Sequence, residues 1–136
     1  MKLIFLFLLP IVLFFSCTSN TEKSPQTALD TGRDFIRASL DGDFKKAEAL
    51  LVKDTQNVQL FASYKTYYDR LPAEKKQNYK SAIYTINKYE DVNDSTSIIN
   101  YSNSFMRKPM EIKLLRINKV WGVDFKYTYS GDLPIE

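Results

Sequence analysis

The chain is predicted to fold as an α+β domain, with N-terminal helices packed on an antiparallel sheet, placed after a signal peptide. Three observations predict it. An almost unbroken apolar run is confined to residues 3–15, apolar side chains recur at helical spacing as far as Leu71, and a two-residue alternation takes over after Ser81. The 136 residues, 44% apolar and 26% charged, suit one globular domain.

The first element is an export signal. Lys2 precedes the apolar run, which holds four of the nine Phe and closes on Ser16, Cys17 and Thr18, the charged, apolar, small-residue order of a secretory leader. Thirteen residues interrupted by Pro10 fall short of the roughly 20 needed to span a bilayer, which argues against a retained transmembrane anchor. Cys17 is the only cysteine, so an exported form has no intramolecular disulfide. Its place after Ser16 resembles the bacterial lipobox, whose invariant Cys receives diacylglycerol, becomes the new N-terminus on cleavage and is then acylated on its amino group. The pattern commonly has Leu and a small residue where this chain has Phe14 and Phe15. Cleavage by the ordinary signal peptidase near Ser16–Ser19 is the alternative, and would release a free thiol. The expected organisation is a lipoprotein signal peptide at 1–16, a flexible tether at 17–24 without large apolar residues, and the domain at 25–136.

Within the domain, Ser24-Pro25 reads as an N-cap with Pro in the first helical turn. Ala28, Phe35, Ile36, Ser39 and Leu40 continue that helix to the Asp41-Gly42-Asp43 stop, where Gly suits a left-handed residue. Asp43 then caps a second helix with Phe44, Ala47, Leu50 and Leu51 on one face. A third helical segment starts at Thr55 and carries Val58, Phe61, Tyr64, Tyr68 and Leu71 up to Pro72; residues 73–80 form a short helix or a solvated linker.

Strands follow. Ala82, Tyr84 and Ile86 oppose Ile83, Thr85, Asn87 and Tyr89; Asn93-Asp94 turns the chain into a strand at 96–104, and a third strand covers 110–117. Leu114 and Leu115 are adjacent, so this strand either bulges or is covered on both sides. Asn118-Lys119 is a tight turn into a fourth strand, where Trp121, Val123, Phe125 and Tyr127 alternate with Gly122, Asp124 and Lys126. On this pattern Trp121 is a core anchor that shares its face with Val123 and Phe125.

The residues from Phe35-Ile36 through Leu40-Asp41-Gly42-Asp43-Phe44 with Ala47, Leu50 and Leu51, and the run from Leu114 to Asp124 around Trp121-Gly122-Val123, resemble small exported bacterial lipoproteins of unknown function with a nuclear-transport-factor-2-like, cystatin-like cone fold. The resemblance spans residues 25–125, and the hairpin turn lacks the Gly usual in that family. It implies a curved sheet and a long helix around a cavity, which relatives use for small ligands, catalysis or dimerisation. It transfers a fold more securely than an activity.

Composition narrows the chemistry. There is no His and no Cys beyond Cys17, which removes the usual general base, the thiol nucleophile and most transition-metal sites; no cofactor and no metal are expected. Without residues 1–16 the chain has 18 basic and 16 acidic side chains, too balanced for a designed nucleic-acid partner. Asp91, Asn93 and Ser95 are spaced like the start of a calcium loop, but Thr96 and Ser102 stand where Gly and Glu are required. Asp30, Arg33, Asp34 and Arg37 read as a solvated helix face, and the short basic run at residues 75–80 as a solvated linker. Asp94-Ser95-Thr96 resembles a short O-glycosylation motif of some Gram-negative bacteria, which makes Ser95 a candidate site.

Nine tyrosines carry the remaining signal. Tyr64 and Tyr68, i and i+4 on one helix face, are expected to face the Trp121 strand, and these three are the candidate ligand-binding residues. No catalytic residue is assigned. The functional expectation is a non-enzymatic binding or interaction module in the cell envelope. It would be held at the membrane through the lipid on Cys17, in the outer membrane facing the periplasm, with a small molecule or an envelope protein as partner and a homodimer left open. The alternatives are a small enzyme using Tyr and Asp in the cone, or a structural subunit of an envelope complex.

Overall fold

A computed structural model describes residues 27–131. The signal peptide, Cys17, the tether and the Ser24-Pro25 cap lie outside the described residues. Five helices and four strands follow in chain order: α1 (Ala28–Asp41), α2 (Phe44–Ala49), α3 (Thr55–Asp69), α4 (Ala73–Ser81), β1 (Tyr84–Asn93), β2 (Thr96–Asn103), β3 (Met110–Ile117), β4 (Val120–Val123) and α5 (Phe125–Gly131). The strands form one antiparallel sheet in sequence order, and with the preceding helices they make an α+β architecture.

The first described helix, α1, is capped at Thr27. Thr27, with extended φ and ψ, is the N-cap: its Oγ1 accepts the Asp30 N–H at 3.0 Å and donates to the Asp30 carboxylate at 2.6 Å. This arrangement satisfies one of the open N–H groups at the start of the helix and places a carboxylate at its positive pole. At the other end Gly42 has φ 74°, and Asp43 N–H returns to Ala38 O at 2.9 Å. Asp43 then caps α2 by accepting Lys46 N–H, as the Asp-Gly-Asp spelling predicts.

Two boundaries depart from the expected pattern. Leu50 and Leu51 are not on an α2 face: the helix ends at Ala49, and the chain runs beside β4 instead, with Val52 N–H bonding to Val123 O and Val123 N–H to Leu50 O, both at 2.9 Å. Gly122 permits the approach, since a Cβ there would stand 3.1 Å from Val52 N. The fourth strand ends at Val123 and does not reach Tyr127. Phe125 begins α5, because Asn57 Oδ1 accepts the Lys126 N–H at 2.9 Å and so caps the new helix from α3. That bond joins residues far apart in sequence, which local alternation does not register. Phe125 is buried while Tyr127 is exposed.

α1 packs across β2, β3 and β4. Gly32 brings it close, with Ile99 and Ile112 against its backbone. Phe35, Phe44, Phe61 and Phe125 fill the space between α1, α2, α3 and α5; the Phe61 and Phe125 rings meet edge to face at 5.2 Å. Ile99, Ile112, Leu114 and Val123 close this core from the sheet side. The β2–β3 register is unbroken, so β3 has no bulge: Leu114 enters the core and Leu115 is half-buried on the other face. The register shifts lie in β1, at Ile86/Lys88 and Asp91/Asn93. Among the described residues, no helix is long and apolar enough to cross a membrane.

Candidate functional site

Among the described residues, the helical cover ends before the sheet does. At the β1–β2 hairpin the core-side face of the sheet opens into a cleft of about 520 Å³, lined by Thr27, Ala28, Tyr89, Asp91, Asn93, Asp94, Arg116 and Trp121. The elements supply these groups by register. Asp91 pairs with Ser97 across β1 and β2, and Arg116 with Trp121 across β3 and β4, so each pair projects on one face. The N-terminal turn of α1 forms the remaining wall.

A small hydrogen-bonded group organises the floor. The buried Ser97 hydroxyl donates to Asp91 Oδ1 at 2.6 Å, and the Tyr89 hydroxyl donates to the same oxygen. These donors hold the Asp91 carboxyl below the usual carboxylate range, Ser97 having the larger effect and Tyr89 the next. Desolvation, and after it the Asp91 carboxylate, push the Tyr89 phenol up. At neutral pH the pair is therefore an ionised acceptor beside a neutral donor. Across the cleft the Arg116 guanidinium lies over the Trp121 ring at 6.0 Å from its centroid. The mouth is set by the hairpin turn, where Asn93 Oδ1 accepts Ser95 N–H at 3.0 Å and Ser95 O–H at 3.1 Å, leaving Ser95 exposed at the rim.

Trp121 is half-buried, packed against the core on one side and lining the cleft on the other. The core-anchor expectation therefore needs correction, since Phe125 has left the strand that was to share its face. Tyr64 and Tyr68 are elsewhere. Tyr64 packs against Phe44, Phe61 and Phe125 at 5.7, 6.0 and 5.7 Å. Tyr68, 8% exposed, meets Phe44 at 4.8 Å and Tyr79 at 6.2 Å. Burial raises the pKa of both phenols. Their neighbourhood includes Tyr79 and Tyr101, and Tyr101 pairs with Met110 at the start of β3. Six positions of strand, about 20 Å, separate Met110 from the Arg116 that flanks Trp121. The structure thus does not bring the three expected residues together.

Tyr89, Asp91, Ser97 and Arg116 were not candidates on sequence grounds. The signal available was the alternate spacing of Asp91, Asn93 and Ser95, which places Asp91 and Asn93 at the cleft without making a calcium loop. A second polar cluster, Asp54, Asn57, Asp124 and Lys126, is a clip between α3 and α5: Lys126 Nζ bonds to Asp54 at 2.9 Å, and Asn57, fully buried, donates to the same carboxylate. Among the described residues no three His, Cys, Asp or Glu side chains are grouped as a metal would need. No protein-family model, curated protein or solved structure matches the chain.

Proposed function

We propose that this chain is an exported lipoprotein, acylated at Cys17 and facing the periplasm, whose cone-like domain of the nuclear-transport-factor-2 type binds a small polar ligand in the cleft at Trp121. The observation that carries the binding reading is the convergence there of an aromatic wall, one guanidinium and an oriented carboxylate around a space large enough for a small molecule. Trp121 would supply contact area, Arg116 a charged donor, and Asp91 an acceptor that fixes orientation. In this reading Tyr64 and Tyr68 serve packing.

Binding is favoured over catalysis on the same geometry. A phenol pushed up by burial and by Asp91 is a poor nucleophile, and a carboxyl held low by two donors is a weak base. The membrane address rests on the apolar run and the place of Cys17.

Two measurements test the two halves. Intact mass of the mature chain is expected to show acyl additions that Cys17→Ala lacks; an unmodified N-terminus at Cys17 overturns the anchor. Native mass spectrometry of the membrane-extracted chain is expected to retain a small molecule that Asp91→Asn and Arg116→Gln release with the fold intact. Equal retention by both variants removes the cleft as the site.

A further inference from the structure

At the end of the sheet away from the cleft, α4, the start of β1 and the β2–β3 loop meet in a basic tip. Ser104 N–H bonds to Ile83 O at 2.9 Å and Ser104 Oγ accepts Ile83 N–H at 3.0 Å, which ties the two segments together. From α4, Tyr79 stacks edge-on against Phe105 at 4.9 Å and its hydroxyl reaches Met106 Sδ at 3.6 Å. The loop is a built turn: the buried Asn103 accepts the N–H groups of Phe105 and Met106, and Arg107, at φ 56°, returns its N–H to Asn103 O.

Two properties of this tip do not suit water alone. Ile83 is 76% exposed and Phe105 36%. Around them, residues 70–83 and 104–109 carry six basic side chains, Arg70, Lys75, Lys76, Lys80, Arg107 and Lys108, against the single acid Glu74. The cleft end is mixed, with Glu90, Asp91 and Asp94 on one hairpin and Arg116 and Lys119 on the other. The basic excess of the tip is not shared by that end.

We propose that this tip is a membrane-contact surface, with Lys75, Lys80 and Arg107 on the anionic headgroups of a phospholipid bilayer and Ile83 and Phe105 at the boundary between headgroups and acyl chains. All three cations are exposed. An acidic protein would neutralise them equally well. A bilayer surface offers anions and apolar volume side by side, which matches a tip whose apolar side chains project among cations. The basic run at residues 75–80 gains this partner only because the fold adds Phe105, Arg107 and Lys108 to it. The inference needs neither acylation at Cys17 nor a ligand in the cleft.

The test uses the full-length chain on vesicles with brominated acyl chains, of phosphatidylcholine alone or of equimolar phosphatidylcholine and phosphatidylglycerol. The apolar run at residues 3–15 and its flanking Lys2 are common to every variant, so the difference between Ile83→Trp with and without Lys80→Gln and Arg107→Gln isolates the tip. Trp121, the single Trp, reports the cleft end. The additional fluorescence of Ile83→Trp is expected to shift to the blue and be quenched on the anionic vesicles only, with Trp121 unquenched on both. Phe105→Trp should behave alike. Removing Lys80 and Arg107 as Gln should lower the tip-bound population about fivefold for each cation. Quenching of Ile83→Trp that is equal on the two vesicle types, or absent, overturns the proposal. So does quenching of Trp121 as strong as that of the tip, or competition by soluble polyglutamate that matches the vesicles without a blue shift.

Discussion

One face of one sheet is used in two ways. Over its middle, Ile99, Ile112, Leu114 and Val123 are sealed beneath α1 and the ring cluster of Phe35, Phe44, Phe61 and Phe125. Toward the β1–β2 hairpin the same face carries Ser97, Asp91, Tyr89, Arg116 and Trp121, and among the described residues only the first turn of α1 stands beside them. The difference shows where stability and recognition reside. The first region is apolar and closed, so its side chains gain by leaving water; the second is polar and organised by hydrogen bonds, so its groups remain available to a partner.

If that division is right, the largest loss of stability comes from the closed region. Phe61, 1% exposed, contacts three other aromatic rings of the cluster and Tyr64, and Phe61→Ala is expected to destabilise by about 3 to 5 kcal/mol in denaturant titration. A loss below about 1 kcal/mol would mean that the cluster is not the centre of the fold.

The clip between α3 and α5 comes next. Asn57→Ala leaves the Lys126 N–H without its acceptor and removes one donor from Asp54, for a cost of about 2 to 3 kcal/mol. Protection of the α5 amides from hydrogen exchange should fall first. Loss of helix elsewhere before α5 would contradict the capping role given to Asn57.

Trp121 sharpens the comparison because it belongs to both regions. Trp121→Ala should cost about 1 to 2 kcal/mol, less than Phe61→Ala, since one side of the ring already faces the cleft. A melting shift as large as that of Phe61→Ala would return Trp121 to the core. Gly42→Ala is expected to cost a similar 1 to 2 kcal/mol, because φ of 74° is unfavourable for Ala and the new Cβ would stand 2.9 Å from the Tyr68 hydroxyl. Gly42→Asn should recover part of that loss at the backbone.

The smallest effect is electrostatic. Hydrogen bonds from Ser97 and Tyr89 hold the Asp91 carboxyl below its ordinary value of 3.8. A depressed folded pKa means that the contribution is present above that ordinary value and is lost as the pH falls through the lower, folded one. Asp54 follows the same sign through the Asn57 N–H and Lys126. Asp91→Asn should therefore lower stability slightly at neutral pH and leave it unchanged in acid, flattening the acid limb, with Asp54 still contributing to the remaining slope. An unchanged acid limb would mean that Asp91 makes its bonds equally well in the unfolded chain.

Much of the fold was legible because its signals are local. The Asp41-Gly42-Asp43 stop, the strand starts and the Asn118-Lys119 turn, with φ of 50° and 67°, follow from backbone preferences of the residues themselves. The misplaced boundaries have non-local causes. Leu51 leaves α2 because β4 offers backbone partners, and Phe125 leaves the strand because Asn57 caps a helix there. Alternation at Trp121, Val123, Phe125 and Tyr127 cannot separate these outcomes, since it records which side chains are apolar and not who bonds the backbone.

The site divides in the same way. Trp121 stands out in the sequence by its rarity and Tyr64 and Tyr68 by their shared helix face, and residue chemistry alone rules out a His or thiol mechanism in the domain. Which aromatics face a cleft and which fill the core depends on strand register and on how far the helices extend over the sheet. Tertiary packing made Tyr64 and Tyr68 part of the ring cluster, set the polar opening at Tyr89 and Asp91, and tied the Ile83 and Ser104 segments together at the opposite tip. Side-chain type and spacing act over one turn or one hairpin, whereas a cleft or a tip is assembled from segments that meet only after the chain has closed on itself.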